Sequence, residues 1–391
     1  MTDLFSEHDV IDVDTHVTEP ADLWTSRVAK KWRERVPHLE TFGGKQFWVT
    51  DGKRGIAPGI VSLAGYDGHP PDDFPPTFDD IPPSAYDARA RLKHMDREGI
   101  YAQVLYPNVG GFGSQNFIKI PEAALKLACV RAYNDFLTEW TNADPKRLLA
   151  VTALPFWDVR ASVKEIRRCA DAGHRSVLFP SQPQDFDQPD LSDPHWDPIW
   201  DAAQALELPI SFHIGSQSAL GVKEGKRHKP TKFGRKARFT QVSALAFIGN
   251  ALGITELICS GICHRFPKLN FVSVESGVGW IPSLIEALDW QWHNAGAAHE
   301  HPDYLLPSDY FRRQIYACFW FERDMLAAAA KLYPDNLMYE TDFPHPTSMS
   351  PGPATIAKHP REYASEALAA MPRDVVAKLL HGNAARVYHV D

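Results

Sequence analysis

The first residues in this sequence that could do chemistry are a carboxylate and an imidazole, Asp14 and His16, at the end of the stretch VIDVDTH. On a β-strand, residues two apart project to the same face, so both side chains can reach one ion if the strand ends at a cavity. A lone Asp-x-His pair occurs often by chance. Three later stretches strengthen the interpretation of Asp14 and His16 as part of a metal site, because each places an acid or a histidine at the end of an apolar run. These are LPISFHIGS with His213, FVSVESGVGW with Glu275, and LMYETDFPHP with Asp342 and His345.

The composition is that of an ordinary globular protein, with 44% hydrophobic and 23% charged residues in a chain of 391. A formal net charge of −8 argues against nucleic acid or an anionic membrane as the partner, so we expect a small-molecule substrate. The N-terminus has neither a basic start nor an apolar segment, and no uncharged apolar run approaches 18 residues, which predicts a cytoplasmic protein. The five scattered cysteines indicate free thiols in a reducing compartment.

The order of apolar runs predicts the fold. Residues 20–85 are rich in Pro, Gly, Asp and aromatics and predict a long irregular insertion, with a small hairpin near Lys45 to Val49. Beyond it, amphipathic helices alternate with short apolar runs, as in a parallel sheet covered on both faces. Counting the strand at Val10 gives close to eight βα units. We therefore predict an α/β fold, a single (β/α)₈ TIM-like barrel over residues 1–391, with the active site where strands end.

A strongly basic loop follows the fifth predicted strand, within residues 214–240 of this acidic chain. It is interpreted as a solvated insertion, as a lid that attracts an anionic substrate, or as a docking surface for an acidic neighbouring subunit. We expect a homo-oligomer, with a hetero-oligomer as the alternative. The basic residues are Lys223, Lys226, Arg227, Lys229, Lys232, Arg235, Lys236 and Arg238.

With these residues placed at strand ends, the chain resembles the amidohydrolase-related family, which includes aromatic-acid decarboxylases and hydrolases of ring-cleavage products. The resemblance covers nearly the whole chain, and its motifs are specific in their order and spacing. In order they are DVDTHVTEPADLW, RLKHMDREGI with QVLYP, HIGS, GICHRFPKL leading to VESGVGWIP, ETDFPHP and HGNAARVY.

The resemblance implies one divalent metal ion held by Asp14, His16, His213 and Asp342. Imidazole and carboxylate ligands suit zinc, manganese or iron. Such an ion can lower the pKa of a bound water to near 7 or polarise a carbonyl, and Asp342 could be both ligand and proton acceptor. The implied activity is hydrolysis or C–C bond cleavage of a small carboxylated or carbonyl substrate.

One position departs from the family's decarboxylases: Glu275 stands where they carry a histidine, so the usual proton donor is missing and decarboxylation is in doubt. Glu275 could be a base, a ligand of a second metal ion, or a structural carboxylate. His345 could belong to the site or pack in a loop, and Glu19 could touch His16 or bind a second ion. The carboxylates leave open a dinuclear iron or manganese oxygenase. A third possibility is a metal-bearing subunit of a hetero-oligomer.

Overall fold

The strands form one large parallel sheet and one small antiparallel sheet. The computed structural model describes residues 3–216, 234–346, 348 and 356–391. In chain order the strands are β1 (Val10–His16), β2 (His38–Phe42), β3 (Lys45–Thr50), β4 (Lys53–Arg54), β5 (Ile100–Tyr106), β6 (Leu148–Ala153), β7 (Ser176–Leu178), β8 (Ile210–His213), β9 (Phe271–Val274), β10 (Ile315–Phe319) and β11 (Leu337–Tyr339). The eight-stranded sheet has the order β1-β5-β6-β7-β8-β9-β10-β11, and β2, β3 and β4 form the small sheet.

The first and last strands of the large sheet close it into a barrel. Thr15 forms a parallel bridge with Phe343. The His16 N–H donates to the Phe343 carbonyl at 2.7 Å, and the Asp342 N–H donates to the Asp14 carbonyl at 2.9 Å. The (β/α)₈ barrel predicted from the sequence is thereby confirmed. The same bonds place the end of β1 directly against Asp342.

Apolar side chains fill the barrel below its mouth. All six residues of β6 are buried, as expected for a strand covered on both faces. Aliphatic side chains from different strands meet inside the barrel, so the interior is a packed core rather than a pore. The polar groups at the strand ends therefore stand on an apolar base. Members of this inner cluster include Ile11, Val104, Val151, Val272 and Met338.

Helices follow the barrel strands, and local signals define their ends. The Asp87 carboxylate accepts the Ala90 N–H at 2.7 Å at the start of the helix after residue 87, and Gly99, with φ +74°, ends that helix. A π-helical turn, Lys378–Gly382, joins the last two helices. The helices are α1 (Leu4–Glu7), α2 (Leu23–Arg27), α3 (Ala88–Glu98), α4 (Ala123–Thr141), α5 (Val159–Asp171), α6 (Asp197–Ala205), α7 (Gly234–Phe247), α8 (Asn250–Cys259), α9 (Ile262–Arg265), α10 (Ile281–Asn294), α11 (Ala297–Glu300), α12 (Pro307–Gln314), α13 (Met325–Leu332), α14 (Pro360–Ala367), α15 (Arg373–Ala377) and α16 (Asn383–Tyr388).

Residues 20–85 are less irregular than predicted. Strand β2 pairs antiparallel with β3, and β3 with β4, so the hairpin expected near Lys45 to Val49 is present within a three-stranded sheet. Prolines flank these strands but do not interrupt them, so the insertion has one strand more than the predicted hairpin. Trp48 of β3 packs edge-on against Trp24 with ring centroids 5.5 Å apart, and this contact anchors the small sheet on the core.

The basic loop is only partly described. Arg235, Lys236 and Arg238 lie in α7, so the end of the predicted loop, residues 234–240, is helical. Arg235 Nη1 lies 2.8 Å from Oδ1 of Asp72, which belongs to the insertion at residues 20–85. Both groups are largely exposed, and such a pair adds little stability. Lys223, Lys226, Arg227, Lys229 and Lys232 lie outside the described residues.

One segment of the described chain, Gly234–Cys259, is long and apolar enough to cross a membrane by length and composition alone. This finding corrects the expectation that no apolar run approaches 18 residues. Buried helices pass the same test, and α8 contributes Ile254 and Leu257 to the hydrophobic core.

Candidate metal centre

Four polar side chains meet where the barrel strands end. Asp14 and His16 lie on β1, His213 is the last residue of β8, and Asp342 follows β11. The side chains of all four are fully buried. The structure thus brings together the four residues that the family resemblance selected.

Backbone carbonyls fix which ring nitrogen of two histidines faces this cluster. The Nδ1–H of His16 donates to the Pro107 carbonyl at 3.0 Å, and the Nδ1–H of His213 donates to the Ile214 carbonyl at 2.8 Å. In a neutral imidazole the other nitrogen, Nε2, then carries a lone pair. The two Nε2 atoms lie 3.1 Å apart. Two lone pairs at that distance repel each other unless a cation or a proton lies between them.

Asp14 adds negative charge at the same point. Its Oδ1 lies 3.5 Å from the Nε2 atoms of both His16 and His213. Within the part of the chain that the structure describes, neither buried oxygen of Asp14 accepts a hydrogen bond. A buried carboxylate without donors is strongly destabilising unless a cation balances it. Asp14 therefore has the surroundings of a metal ligand.

The spacing of the cluster fits a divalent ion. Asp14 Oδ1 and the two Nε2 atoms lie 3.1 to 3.5 Å from one another, and Asp342 Oδ1 lies 3.4 Å from His16 Nε2. Ligand atoms about 2.0–2.2 Å from a tetrahedral zinc ion lie roughly 3.3–3.6 Å from one another. The donor set and its spacing thus fit the metal that the sequence implies. The role of each residue as a ligand remains a prediction.

The two histidines differ in their pKa values. Burial and the nearby His345 lower the pKa of His16 to about 4, although Asp342 and Asp14 oppose the shift. At neutral pH the His16 ring is therefore uncharged and ready to ligate. Burial also acts to lower the pKa of His213, but Asp14, the Ile214 carbonyl and Asp342 together outweigh burial and the pKa is raised. In the absence of a metal ion, His213 is thus the more basic of the two.

Asp342 and His345 form a close pair at the edge of the cluster. His345 Nδ1 lies 2.9 Å from Asp342 Oδ1, and the His345 ring stacks on His16 with centroids 3.6 Å apart. Burial alone would raise the pKa of Asp342, but His345 and His16 outweigh burial and lower it. Asp342 is therefore a carboxylate. His345, which the sequence left between site and packing, lies against Asp342 and His16, and its role in the site stays a prediction.

Glu275 also faces the cluster. It follows β9 with φ +54°, a backbone conformation that side-chain-bearing residues rarely adopt. Its Oε2 lies 3.7 Å from His213 Nδ1. With Asp14 and Asp342 it forms a second group of carboxylates whose oxygens lie within 4.8 Å of one another and could hold an ion. Both chemical interpretations of Glu275, as a base and as a ligand, stay open.

A further buried carboxyl group, Glu340, was missed by sequence reasoning. Its Oε2 accepts the Glu275 backbone N–H at 3.2 Å, and its side chain is fully buried. Burial, together with the charges of Asp14 and Glu275, raises the pKa of Glu340 well above its usual value. Its position in the strand-end motif YETD was a signal that could have found it.

The loop after β5 covers the cluster and was also missed. The ring of Phe112 stacks on His213 with centroids 4.3 Å apart and meets His16 edge-on at 5.3 Å. Asn108 Oδ1 lies 2.7 Å from His345 Nε2. Neither residue type is a typical metal ligand, but both follow the apolar run QVLYP, where a barrel strand ends. Phe112 forms an aromatic wall of the site.

Other candidate residues lie elsewhere. In the described ranges, the groups that could hold an ion contain neither Glu19 nor three further histidines, His94, His174 and His264. His174, for example, is held between the hydroxyl groups of Thr138 and Thr152 at about 3 Å.

Comparisons with known proteins agree with this geometry. A sequence model described as amidohydrolase matches residues 11–390. The gamma-resorcylate decarboxylase of Rhizobium sp. (strain MTP-10005) is 26% identical over 65% of this chain and 76% of its own length. Among solved structures, an amidohydrolase from Mycobacterium avium subsp. paratuberculosis K-10 superposes with a TM-score of 0.73 at 23% identity, covering 97% and 99% of the two chains.

A second solved structure is that of a dihydroxybenzoic acid decarboxylase from Polaromonas sp. JS666, which contains manganese and the inhibitor 2-nitroresorcinol. It superposes with a TM-score of 0.60 at 18% identity, covering 98% and 97% of the two chains. The barrel and its cluster of histidines and carboxylates define a metal-dependent barrel enzyme. The chain belongs to the amidohydrolase family, as its sequence predicts.

Proposed function

We propose that this enzyme is a metal-dependent lyase that removes the carboxyl group of a small aromatic acid as CO₂. The observation that carries the proposal is the cluster of acceptor atoms at Asp14, His16 and His213, with the Asp342–His345 pair beside it. The relatives named as decarboxylases of hydroxylated benzoic acids support the choice of reaction and of an anionic substrate.

Asp14, His16, His213 and Asp342 would hold the ion, which we propose to be manganese, zinc or iron. When bound, the ion supplies an electrophilic site for the carboxylate and neighbouring oxygens of the substrate. Phe112 would stack on the aromatic ring of the substrate and exclude water from one face. The apolar base of the barrel excludes water from below.

The Asp342–His345 pair would move the proton. In the reaction, the bond between the ring carbon and the carboxylate carbon breaks and its electron pair stays on the ring carbon. That carbon then takes a proton from the Asp342–His345 pair, where His345 Nδ1 lies 2.9 Å from Asp342 Oδ1. Solvent restores the proton after CO₂ leaves, so no oxidant is needed. His345 would thus supply the imidazole that the sequence lacks at the position of Glu275.

The carboxylate group formed by Asp14, Glu275 and Asp342 favours one alternative. Two iron or manganese ions in such an oxygen-rich site would suit an oxygenase. For the molecule as a whole we propose a cytoplasmic homo-oligomer without nucleic-acid or membrane partners, which fits the net charge of −8.

The test is an assay without oxygen, in D₂O, with the manganese-loaded enzyme and carboxyl-¹³C-labelled 2,6-dihydroxybenzoate or 5-carboxyvanillate. We expect labelled CO₂ and a product with one deuterium at the vacated carbon. His345→Gln should lower the rate by about 10²–10⁴-fold. His174→Gln, a buried histidine away from the cluster, is the control and should keep the rate. Turnover of these acids only with oxygen would favour the oxygenase instead.

A further inference from the structure

We propose that Glu19 and Asn108 are positioning residues that hold His345 in place at the metal centre. Through His345 they orient Asp342, so the metal affinity of the enzyme depends on them. The inference rests on the proposed metal-binding role of Asp342. Among the described residues Glu19 belongs to none of the groups of possible ligands, and Asn108 contacts His345, so both would act through His345.

Glu19 fixes the start of the loop that follows β5. Its side chain is fully buried, and its Oε1 accepts the backbone N–H groups of Asn108 at 2.8 Å and Val109 at 2.9 Å. Hydrogen bonds from backbone N–H groups to a carboxylate are short and strong. A contact between segments nearly ninety residues apart in the chain therefore sets the backbone position of Asn108.

The side chain of Asn108 has one possible orientation. Its Nδ2 donates to the Val17 carbonyl at 2.9 Å and lies 3.4 Å from Glu19 Oε2. The amide oxygen must then point the other way, where it lies 2.7 Å from His345 Nε2. Because this oxygen can only accept, His345 carries a hydrogen on Nε2.

His345 is consequently held on three sides. Asn108 contacts one ring edge, Asp342 Oδ1 lies 2.9 Å from the other, and His16 stacks on one face. Phe112 also lies beside the ring, with centroids 5.8 Å apart, but the hydrogen-bonding partner of Nε2 is Asn108, which is outside the ligand cluster. Without it the ring can rotate, and Asp342 loses the partner that aligns its carboxylate. Outer hydrogen-bond partners of this kind typically contribute about 10–100-fold to metal affinity.

The chain offers a matched control with the same chemistry elsewhere. Asn134 is fully buried, donates its Nδ2 to the Ala153 carbonyl and to Glu165 Oε1, each at 2.9 Å, and accepts the Ala153 N–H at 3.0 Å. Asn134→Ala should therefore destabilise the fold much as Asn108→Ala does, but without touching the cluster.

The first experiment measures the affinity for Mn²⁺ by competition with a chelator, together with the free energy of unfolding. We expect Asn108→Ala to weaken Mn²⁺ binding by about 10–100-fold. Glu19→Gln should weaken it less, because its amide oxygen still accepts backbone N–H groups; this variant keeps the side-chain volume and serves if Asn108→Ala does not fold. Asn134→Ala should leave Mn²⁺ affinity at the wild-type level. Unchanged affinity in both Asn108→Ala and Glu19→Gln overturns the proposal.

A second experiment tests whether Asn108 acts through His345. In a His345→Ala background, Asn108→Ala should have no further effect on Mn²⁺ affinity, because residues that act through one another are not additive. Additive losses would contradict the proposal and assign Asn108 an independent role. Both experiments read metal affinity, so they stand even if no aromatic acid is decarboxylated; that result would contradict only the proposed function.

Discussion

Two carboxylates on the first barrel strand, Asp12 and Asp14, are both fully buried but have opposite surroundings. Asp12 Oδ1 accepts the Thr341 N–H at 2.8 Å, and its Oδ2 accepts the Thr341 hydroxyl at 2.6 Å and the Gln103 amide at 3.2 Å. In the described ranges, Asp14 accepts no hydrogen bond and instead faces the lone pairs of two histidines. A carboxylate supplied with donors is structural, whereas one surrounded by acceptors needs a cation.

The two residues diverge because β1 is irregular. Strict alternation would put residues 12, 14 and 16 on one face. The pairing of β1 with β5 shifts register between Asp12 and Thr15, however, and this irregularity turns Asp14 into the barrel mouth. Ile11 and Val13 point into the barrel, so Asp12 between them points outward. The strand register therefore decides which of two alternating acids faces the barrel mouth. Residue types alone do not specify that register.

The largest expected effect comes from Asp14→Asn. Because it removes a ligand and the charge that balances the ion, we expect Mn²⁺ affinity to fall by more than about 100-fold. The metal-free protein should be as stable as the wild type or more stable, since an unbalanced buried charge is gone. Metal analysis and urea unfolding of the metal-free protein measure both quantities. Retention of a full equivalent of metal would contradict the difference between Asp14 and Asp12.

Glu275→Gln separates the two chemical interpretations of Glu275, as a base and as a ligand of a second metal ion. If Glu275 handles a proton, the variant should keep its metal and lose about 10²–10⁴-fold in rate. If Glu275 binds a second ion, the variant should lose one of two equivalents, and the two ions should lie about 3.5–4 Å apart in the wild type. Metal content and turnover decide between these results. Full activity with unchanged metal content would make Glu275 structural.

Asp12→Asn should give the opposite result to Asp14→Asn. The new amide group would face the N–H or hydroxyl donors of Thr341, leaving buried donors without an acceptor. We expect the free energy of unfolding to fall by about 1–3 kcal/mol. Mn²⁺ affinity should stay near wild type, because Asp12 lies outside the ligand cluster. A large loss of metal affinity with little loss of stability would show that Asp12 serves metal binding, as Asp14 does, rather than the stability of the fold.

The last prediction concerns the pH dependence of stability. Burial raises the pKa of Asp12 to about 7 despite hydrogen bonds from Thr341 and Gln103 that oppose the shift. Since the pKa is near 4 in the unfolded chain, the folded state binds the additional proton between these values. The stability contributed by Asp12 is therefore present below pH 4 and is lost as pH rises towards 7. The free energy of unfolding of the wild type relative to Asp12→Asn should decline over that window.

The barrel and much of the site could be predicted because both depend on residue type and order. Continuous apolar runs separated by amphipathic helices require a covered parallel sheet, and the strand ends of a barrel meet at one face. Knowing that Asp14, His213 and Asp342 end such runs was enough to expect them together. In the structure Asp14 Oδ1 lies 3.5 Å from His213 Nε2, and Asp342 Oδ1 lies 3.4 Å from His16 Nε2, which are distances expected of ligand atoms around one ion.

The remaining features of the site could not be predicted, because they depend on backbone groups and on residue types that are not typical of metal sites. The backbone carbonyls of Pro107 and Ile214 determine which ring nitrogen of His16 and His213 carries the hydrogen. A residue of any type could supply such a carbonyl. Asn108 and Phe112 lie in a loop without titratable groups, so a search for metal ligands passes over them. In the insertion at residues 20–85, prolines dominate the local composition, so the sequence did not indicate the full three-stranded sheet.

The measurement that tests the account most directly is a crystal structure of the manganese-loaded enzyme with anomalous scattering from the metal, combined with metal analysis. We predict an ion bound by Asp14, His16, His213 and Asp342, with both His345 and Asn108 in the positions described above. Manganese at any other place, or a cluster at Asp14 that stays without metal under saturating Mn²⁺, would contradict the account.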